Sequence, residues 1–370
     1  MKAAPRIPFL SLRPGDDAGD VRAGIDRVIE RGWFVLGPEV DAFEQEFAAA
    51  SGASHAIGVG NGTDAIALIL RALNIGAGDE VITTPLSAAY TALAIMMAGA
   101  RPVFVDIDPA RLTIDPERIA AAIGPKTKAI LPVHLYGQPA EMAAIETMAT
   151  LHGLAIVEDC CQAHFATAAG RPVGTIGIAG AFSFYPTKNL GALGDGGAIV
   201  TNDRALADRL KRLRNGGQTD RYHHQEPGIN SRLDDLQAAV LRARLPRLRG
   251  WTDRRRALAA RYRDRLAGSG VDVPPQFDAG HVYHLFVVRH RARTHLQAHL
   301  AARGIETLIH YPVPIPRQPA VAALDPAECP LAARVCDEIL SLPFHPALRD
   351  DEVDEVAAAV HAFEAKTVAP

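Results

Sequence analysis

The stretch Ala181-Phe-Ser-Phe-Tyr-Pro-Thr-Lys-Asn-Leu-Gly-Ala-Leu-Gly-Asp-Gly-Gly197 places one lysine, Lys188, between an apolar run and a glycine-rich turn. Phe182, Phe184 and Tyr185 predict the end of a buried strand, and the glycines keep side chains away from whatever the lysine faces. A lysine beside apolar residues loses its proton more easily because desolvation disfavours the ammonium. The neutral amine is a nucleophile whose natural covalent partner is an aldehyde. A surface lysine in a mobile turn is the alternative interpretation of this stretch.

Composition restricts the classes of protein to which a chain of 370 residues can belong. A hydrophobic content of 48% and a charged content of 22% are ordinary for a soluble globular protein. A formal net charge of −3 does not favour nucleic-acid binding. The sequence shows neither a signal peptide nor an apolar run of about 18 residues. We therefore expect a cytoplasmic protein that binds neither nucleic acid nor membrane.

Cysteine and histidine usage predicts neither a disulfide framework nor a metal site. Four cysteines in a chain of this length are too few for a disulfide scaffold. Neither they nor the 14 histidines show the paired spacing of a zinc site. We expect reduced, buried thiols and no bound metal, with His134 and His164 in structural positions or near a cofactor.

The first two thirds of the chain alternate apolar runs with helical patterns. Strands are predicted at 55–59, 80–84, 102–106, 129–133 and 154–158, and helices at 63–73, 88–98 and 140–151. This rhythm predicts an α/β fold with a mostly parallel sheet that is covered by helices on both faces. Ligands of such sheets bind at the carboxyl ends of the strands.

After residue 201 the regular alternation of predicted strands and helices ends. This change predicts a second, smaller α+β domain. The predicted elements are a basic helix at 203–214, a polar loop at 215–231, a long helix at 234–266, a linker at 268–280, a strand at 282–288, and helices at 294–303 and 351–365. We expect an N-terminal segment at 1–30 that packs on the large domain, a large domain at 31–250 and a small domain at 251–370.

The segment Gly60-Asn-Gly-Thr-Asp-Ala65 lies between a predicted strand and a predicted helix. Glycines let backbone N–H groups approach a ligand, and the N-terminus of a helix attracts anions. These residues therefore favour a phosphate site, although the dinucleotide pattern G-x-G-x-x-G is absent. The alternative is that Thr63 or Asp64 simply caps the helix.

A second polar group follows the strand that ends near residue 158, in Val157-Glu-Asp-Cys-Cys-Gln-Ala-His164. A carboxylate such as Asp159 at a buried strand end needs a cationic or hydrogen-bonding partner. A protonated pyridine nitrogen is such a partner, and Gln162 in the following turn could donate to a phenolate oxygen. The alternative is that Asp159 caps a helix.

Together these groups predict a pyridoxal 5′-phosphate (PLP) site, although each alone is weak. Lys188 would bind the aldehyde, Asp159 would keep the pyridine nitrogen protonated, and the helix at residue 62 would bind the phosphate. Ser183 lies five residues before the lysine and could add a hydroxyl to the phosphate site. Such a cofactor withdraws electrons from a carbanion on the substrate.

These segments together resemble the DegT/StrS-type sugar aminotransferases, a branch of the aspartate-aminotransferase fold, over nearly the whole chain. The matching segments are 60–66, 133–138, 158–164, 184–191, 228–239, 310–314 and 341–344. The resemblance implies a seven-stranded, mostly parallel sheet in the large domain and PLP as cofactor, with pyridoxamine 5′-phosphate as its intermediate form.

The resemblance also implies roles for individual residues. Lys188 would be the catalytic Schiff-base lysine, Asp159 would contact the pyridine nitrogen, and Gln162 would contact the ring hydroxyl. The residues implied around the phosphate are Gly62, Thr63, Asp64 and Ser183. Asn230 would reach the phosphate bound by the neighbouring subunit, which implies a homodimer with shared active sites.

The family resemblance further implies amination of a keto group on a dTDP- or UDP-linked deoxy- or amino-sugar, with L-glutamate as the donor. The run 188–197 resembles the branch that acts on 3-keto sugars. Candidate substrate contacts are Tyr185, Tyr222, His310 and Tyr311, and candidate diphosphate contacts are Lys211, Arg212, Arg214 and Arg221, unless these basic residues form a solvated helix face.

Three alternative functions remain open, and the sequence differs from the family pattern at two positions. The scaffold could serve a 4-keto sugar, a keto-cyclitol, or a PLP-binding sensor without turnover, although an intact Lys188 favours transamination. Relatives usually carry a ring-stacking aromatic residue where this chain has Ala89 beside Tyr90. They often have histidine where this chain has Pro316.

Overall fold

A seven-stranded sheet forms the centre of the molecule, and the computed structural model describes residues 6–367 of the chain. The strands are β1 (His55–Val59), β2 (Glu80–Thr83), β3 (Arg101–Phe104), β4 (Thr127–Leu131), β5 (Ala155–Asp159), β6 (Thr167–Ala168), β7 (Arg171–Pro172), β8 (Ala179–Ser183), β9 (Gly197–Thr201), β10 (Gln218–Asp220), β11 (His223–His224), β12 (Phe286–Arg289) and β13 (Ile339–Leu342).

Helices cover the sheet and build the C-terminal part of the chain. They are α1 (Ala18–Arg31), α2 (Pro38–Ser51), α3 (Gly62–Ala72), α4 (Tyr90–Met97), α5 (Pro116–Ala122), α6 (Met142–His152), α7 (Arg204–Leu213), α8 (Asp235–Arg244), α9 (Leu248–Arg265), α10 (Arg293–Ala301), α11 (Pro319–Ala322), α12 (Pro330–Glu338) and α13 (Asp350–Thr367), with short 3-10 turns at Leu135–Gly137, Leu245–Arg247 and Ile315–Arg317. No described helix is long and apolar enough to cross a membrane.

The large sheet has the strand order β1-β9-β8-β5-β4-β2-β3, and the prediction of a mostly parallel sheet is confirmed. Strands β8, β5, β4, β2 and β3 run parallel, whereas β9 is antiparallel to both of its neighbours. The chain between β8 and β9 is the lysine-bearing turn, which contains no crossover helix. Adjacent strands joined without a crossover pair antiparallel, so this turn sets the direction of β9.

Two apolar layers enclose the sheet. On one face, α3 packs its buried aliphatic side chains against the central strands. On the other face, aromatic residues of α2 contact the sheet residues Phe182 and Phe184, with the Phe47 ring edge-on to both at 5.2 Å. Burial on both faces explains why β5 and β8 are apolar without strict alternation, and why their carboxyl ends hold polar groups in a rigid frame.

The prediction of one continuous helix at 234–266 is wrong. Helix α8 ends at Arg244, a 3-10 turn containing Pro246 follows, and α9 begins at Leu248. Proline lacks the N–H that would continue the helix and clashes with the preceding turn. The predicted strand at 282–288 also begins later, at Phe286, because the N–H groups of Val282 and His284 bond to Gly137 and Tyr136 instead of a neighbouring strand.

The C-terminal region forms its own apolar core around a two-stranded antiparallel sheet of β12 and β13. The Tyr262 ring of α9 stacks on Phe286 of β12 at 4.8 Å, and its hydroxyl donates to the carbonyl of Pro343. Helices α10 and α13 complete this core. The large sheet and this region therefore meet along α9 and the strand-like segment before β12.

The N-terminal segment contacts both regions. Residues 6–9 bond to the C-terminal region: Ile7 pairs with Ile305, and the Phe9 carbonyl accepts from the N–H of Phe344. Helix α1 packs on α8 instead, with Asp17 just before α1 accepting from the Nε of Arg244 at 2.7 Å. The division of the chain at residues 30 and 250 stays a prediction.

Candidate active site

Lys188 lies in the turn between β8 and β9, beside the carboxyl ends of β5 and β8. Its backbone N–H donates to the carbonyl of Tyr185 at 2.8 Å, which closes the turn. Burial lowers the pKa of Lys188 below the ordinary lysine value, and the nearby Cys161 and Asp159 only partly oppose this effect. The expected nucleophilic amine is therefore placed where desolvation favours its neutral form.

Asp159 ends β5 and is 4% exposed. Its carboxylate accepts from the hydroxyl of Thr91 at 2.8 Å and from the N–H of Cys161 at 3.1 Å. No helix begins directly after it, so the capping alternative is wrong. Among residues 6–363, no basic side chain forms an ion pair with Asp159. A buried carboxylate in this state fits a cationic N–H such as a protonated pyridine nitrogen.

The start of α3 lies against the chain at the ends of β5 and β8. Asn61 caps the helix, and its side-chain oxygen accepts from the N–H of Asp64 at 2.8 Å, so the cap predicted at Thr63 or Asp64 belongs to Asn61. A Cβ atom on Gly62 would lie 2.6 Å from the Sγ of Cys161 and 2.9 Å from the Cβ of Ser183. The backbone therefore approaches the β5 and β8 ends as closely as glycine allows, which matches a phosphate cradle.

The carboxylate of Asp64 forms hydrogen bonds within the protein. Its carboxylate accepts from the hydroxyl of Ser231 at 2.6 Å and from the side-chain amide of Asn61 at 3.1 Å. The hydroxyl of Ser231 in turn accepts from the N–H of Gly60 at 2.9 Å. Asp64 thus holds the polar loop against the loop before α3.

Gln162 connects the large sheet to the C-terminal region. Its side-chain oxygen accepts from the N–H of Tyr136 at 2.7 Å, and its amide donates to the hydroxyl of Tyr311 at 2.9 Å. Burial raises the pKa of Tyr311, so the phenol keeps its proton. Because Tyr311 accepts this bond, its own hydroxyl hydrogen remains free to donate to a ligand.

His310 precedes Tyr311 and lines the same cleft as Lys188. Its Nδ1 is 2.9 Å from the hydroxyl of Ser341. Burial, with a smaller contribution from Lys188, lowers the pKa of His310 to about 4. The ring is therefore neutral at neutral pH and can donate or accept a single hydrogen bond without adding charge.

Three of the predicted site residues face outward in the single chain. Tyr185 is 52% exposed, Tyr222 is 77% exposed, and Asn230 is exposed at the end of the polar loop. The loop carries the short hairpin β10–β11, and Asn230 pairs with Asn215. In a single chain these three residues are therefore open to solvent.

The four residues expected to contact a diphosphate differ in burial and in ion pairing. Arg214 is buried, ion-paired with Glu44, and donates to the carbonyl of Gly58 at 2.7 Å. Its expected role in substrate binding is therefore wrong, because its guanidinium already binds Glu44 and the carbonyl of Gly58 inside the fold. Arg212 pairs with Glu226 at 3.4 Å, whereas Lys211 and Arg221 are exposed.

His134 belongs to a buried polar cluster with Glu158 and Cys160, the one group of potential metal ligands found among the described residues. The ring of His134 lies 3.0 Å from Glu158 and accepts from the N–H of Ala140. Glu158 also accepts from three backbone N–H groups between residues 174 and 177. Because both side chains are engaged in hydrogen bonds, the cluster anchors a loop, as the structural interpretation of His134 predicts.

The structure also bears on the position of His164 and on the missing ring-stacking aromatic residue near Tyr90. His164 is buried against the rings of Phe182 and Phe184, and burial lowers its pKa to about 3. It is a neutral core residue close to Lys188. Tyr90 is 65% exposed at the start of α4, and Pro316 is buried in a 3-10 turn. The neighbouring Thr91, rather than an aromatic ring, reaches Asp159, and no sequence pattern predicted this contact.

The seven-stranded sheet and its covering helices match the architecture of fold-type I aminotransferases. A family model, the DegT/DnrJ/EryC1/StrS aminotransferase family, matches residues 16–361, and the chain belongs to this family. A dTDP-3-amino-3,4,6-trideoxy-alpha-D-glucose transaminase from Streptomyces venezuelae is 48% identical over 96% of each chain.

Two solved structures are similar to the chain over nearly its whole length. DesV from S. venezuelae, in complex with a ketimine intermediate, has a TM-score of 0.94 and 48% identity, covering 97% of this chain and 99% of that one. NtdA from Bacillus subtilis, with bound cofactor PMP, has a TM-score of 0.90 and 30% identity, covering 98% of this chain and 86% of that one.

Proposed function

We propose that this aminotransferase uses PLP to move the amino group of L-glutamate to the 3-keto group of a dTDP- or UDP-linked sugar. The observation that carries the proposal is the juxtaposition of Lys188, whose pKa is lowered by burial, with the unpaired carboxylate of Asp159 and the glycine cradle at Gly62. The names of the similar proteins support a sugar nucleotide and a 3-amino product.

The residues present fit the cofactor. Lys188 would hold it through its amine, Asp159 would bind its pyridine nitrogen, and the N–H groups of Gly62 and Thr63 with the hydroxyl of Ser183 would bind its phosphate. Gln162 is assigned to the ring hydroxyl through the second hydrogen of its amide. Asp64 supports the cradle indirectly through Ser231. When bound, PLP withdraws electrons from the carbon that carries the transferred nitrogen.

Lys188 is the group that moves the proton. Its neutral Nζ would take the α-hydrogen of the donor as a general base and would later return that proton as a general acid. Asp159, which accepts from the hydroxyl of Thr91, would present its carboxylate to the ring nitrogen. Tyr311 and the neutral His310 can hydrogen-bond the substrate without adding charge. L-Glutamate leaves as 2-oxoglutarate, and the sugar gains the amine.

Asn230, Tyr222 and Tyr185 are proposed to act across a homodimer. The single chain exposes them, together with an apolar segment in which Trp33 is 56% and Phe34 48% exposed. Exposed aromatic residues of this kind mark interfaces. Asn230 of one subunit would then complete the phosphate site of the other. The cytoplasmic location is also a proposal, which the four free cysteines support.

The test is an amination panel read by mass spectrometry. Purified protein with PLP and L-glutamate is offered dTDP- and UDP-linked 3-keto and 4-keto sugars and a keto-cyclitol. The proposal expects an amino product from a 3-keto sugar nucleotide and stoichiometric 2-oxoglutarate. Turnover only of a 4-keto sugar or a cyclitol would reassign the substrate. PLP binding without release of 2-oxoglutarate would instead indicate a sensor.

A further inference from the structure

A cavity of about 710 Å³ adjoins Lys188, and its wall carries a buried arginine outside the site described above. Arg255 lies on α9 and is 6% exposed. Lys188, His284 and His310 line the same cavity. The guanidinium and the reactive amine therefore face one space, at the junction of the large sheet and the C-terminal region.

The charge of Arg255 is not balanced within the described part of the chain, where no carboxylate forms an ion pair with it. Two other arginines on the same wall have carboxylate partners. Arg244 pairs with Asp17 at 2.7 Å, and Arg254 pairs with Asp350 at 2.8 Å. Burial alone lowers the pKa of Arg255, to about 10, so the group remains cationic at neutral pH. A buried cation without a counter-ion favours the binding of an anion.

The guanidinium of Arg255 is held in place, but not all of its N–H groups form hydrogen bonds. Its Nη1 donates to the carbonyls of Tyr283 and His284 at 3.2 Å each and to that of Phe344 at 3.4 Å. Nη2 takes part in none of these bonds, and Nε has no partner. The Nε2 of His345, on the same cavity wall, is also without a partner. The wall therefore combines a fixed cation with unused hydrogen-bonding capacity.

We propose that Arg255 binds a carboxylate group of the amino donor. A guanidinium fixed on one side presents a planar pair of N–H groups that matches the two oxygens of a carboxylate. The inference rests on the proposed function, because it takes L-glutamate as donor. The competing anion is the diphosphate of the sugar nucleotide. The donor is preferred because one buried unpaired cation matches the single charge of a carboxylate, whereas Arg244 and Arg254 beside it already pair with carboxylates.

The first test separates the two half-reactions in Arg255→Gln, Arg255→Lys and the control Arg261→Gln. Arg261 lies on the same helix, pairs with Asp354, and does not line the cavity. We expect the KM for L-glutamate to rise at least tenfold in Arg255→Gln and less in Arg255→Lys, which keeps the charge. The kcat/KM for the keto sugar, the PLP content and the thermal midpoint should change little, as in Arg261→Gln.

A structural role or a diphosphate site would give a different result. Equal losses in both half-reactions, or loss of PLP, would overturn the proposal in favour of a structural clamp on the three carbonyls. A defect confined to the sugar half-reaction would overturn it in favour of diphosphate binding. Absence of any glutamate half-reaction in the unaltered protein would overturn the proposed function itself, which keeps the two failures distinguishable.

The second test removes one carboxylate from the ligand. L-Glutamine and L-isoglutamine each replace one carboxylate of glutamate by an amide, and glutarate is a dicarboxylate that cannot react. In the unaltered protein one amide should be a poorer donor by tenfold or more, and Arg255→Gln should lose this discrimination. Calorimetry should show glutarate binding at least tenfold more weakly to Arg255→Gln than to Arg261→Gln. Unchanged discrimination and unchanged glutarate binding would overturn the assignment.

Discussion

At Lys188, two opposing electrostatic effects act on one amine. Burial favours the neutral form, while Asp159 and Cys161 favour the charged form, and burial is the larger effect. Asp159 itself accepts hydrogen bonds from Thr91 and from the N–H of Cys161, and no basic side chain among residues 6–363 forms an ion pair with it. A bound pyridinium would supply the missing cation. The chemistry of the site therefore depends on two side chains whose charges are incompletely balanced until a ligand arrives.

His281 gives a pH prediction that is independent of the cofactor. Its Nδ1 accepts from the N–H of Tyr283, its ring stacks on that of Tyr283 at 3.8 Å, and burial is the main effect that lowers its pKa to about 3. Protonation would break the hydrogen bond and charge a buried ring. The folded-state pKa is depressed, so the unfolded chain binds more protons below pH about 6.5, and stability falls as the pH falls toward 3.

The measurement is the free energy of unfolding between pH 6.5 and 4.5. His281→Asn keeps an acceptor for the N–H of Tyr283 but cannot be protonated. We expect its stability to fall less steeply than that of the unaltered protein, by up to about 1.4 kcal/mol per pH unit. His152→Asn, a change in a residue exposed at the end of α6, is the control. Parallel slopes for His281→Asn and the unaltered protein would contradict the assignment.

At the scale of elements, the site is built where strand ends, a helix start and one turn converge. Strands β5 and β8 are parallel neighbours, so Asp159 and Ser183 lie at the same edge of the sheet. Helix α3 begins at Gly62 against this edge, and the turn after β8 returns Lys188 to it. The residue types alone would be unremarkable without this convergence.

Gly62 tests the helix start as a phosphate cradle. A Cβ atom there would collide with Cys161 and Ser183, whereas one at Gly19 in α1 would meet nothing within 4 Å. We expect Gly62→Ala to weaken PLP binding at least tenfold, which is about 1.4 kcal/mol, with Gly19→Ala as the matched control. Cofactor titration followed by absorbance measures both. Equal PLP affinity in the two variants would contradict the cradle.

The sequence allowed the strand-end positions of the site to be predicted, because Asp159 and Lys188 adjoin apolar runs whose period and length indicate buried strands. It did not allow the contacts made by Thr91 and Arg255 to be predicted. Thr91 meets Asp159 across 68 residues of chain, and Arg255 sits in a basic run typical of a solvated helix face. Such contacts depend on how elements pack, which no local pattern encodes. The break between α8 and α9 does have a local signal, Pro246, which is incompatible with the predicted continuous helix.

At the scale of the whole molecule, the fold leaves two of the four expected substrate contacts and one expected cofactor contact on its surface. Tyr185, Tyr222 and Asn230 are exposed, as are the aromatic residues near Trp33. A second copy would explain both observations, since it would cover the apolar segment and receive the polar loop. In the proposed homodimer, the neighbouring subunit would therefore be part of the active site.

Subunit complementation tests this sharing. Lys188→Ala and Asn230→Ala homodimers should each be impaired at limiting PLP. If Asn230 acts on the neighbouring subunit, a mixed dimer contains one doubly altered site and one intact site, so mixing should restore activity toward half of the normal value per mixed dimer. If Asn230 acts within its own subunit, every site keeps one defect and mixing restores nothing. Size-exclusion chromatography with light scattering checks that mixed dimers form.

The most direct test of the central claim follows the nitrogen. The protein is incubated with PLP, L-glutamate carrying an isotope-labelled amino group, and a dTDP-linked or UDP-linked 3-keto sugar, with Lys188→Ala as the control. The account predicts labelled nitrogen on carbon 3 of the sugar and one 2-oxoglutarate per amino sugar with the unaltered protein, and no transfer with Lys188→Ala. Transfer that persists without Lys188, or no labelled 3-amino sugar from the PLP-loaded protein with either nucleotide, would contradict it.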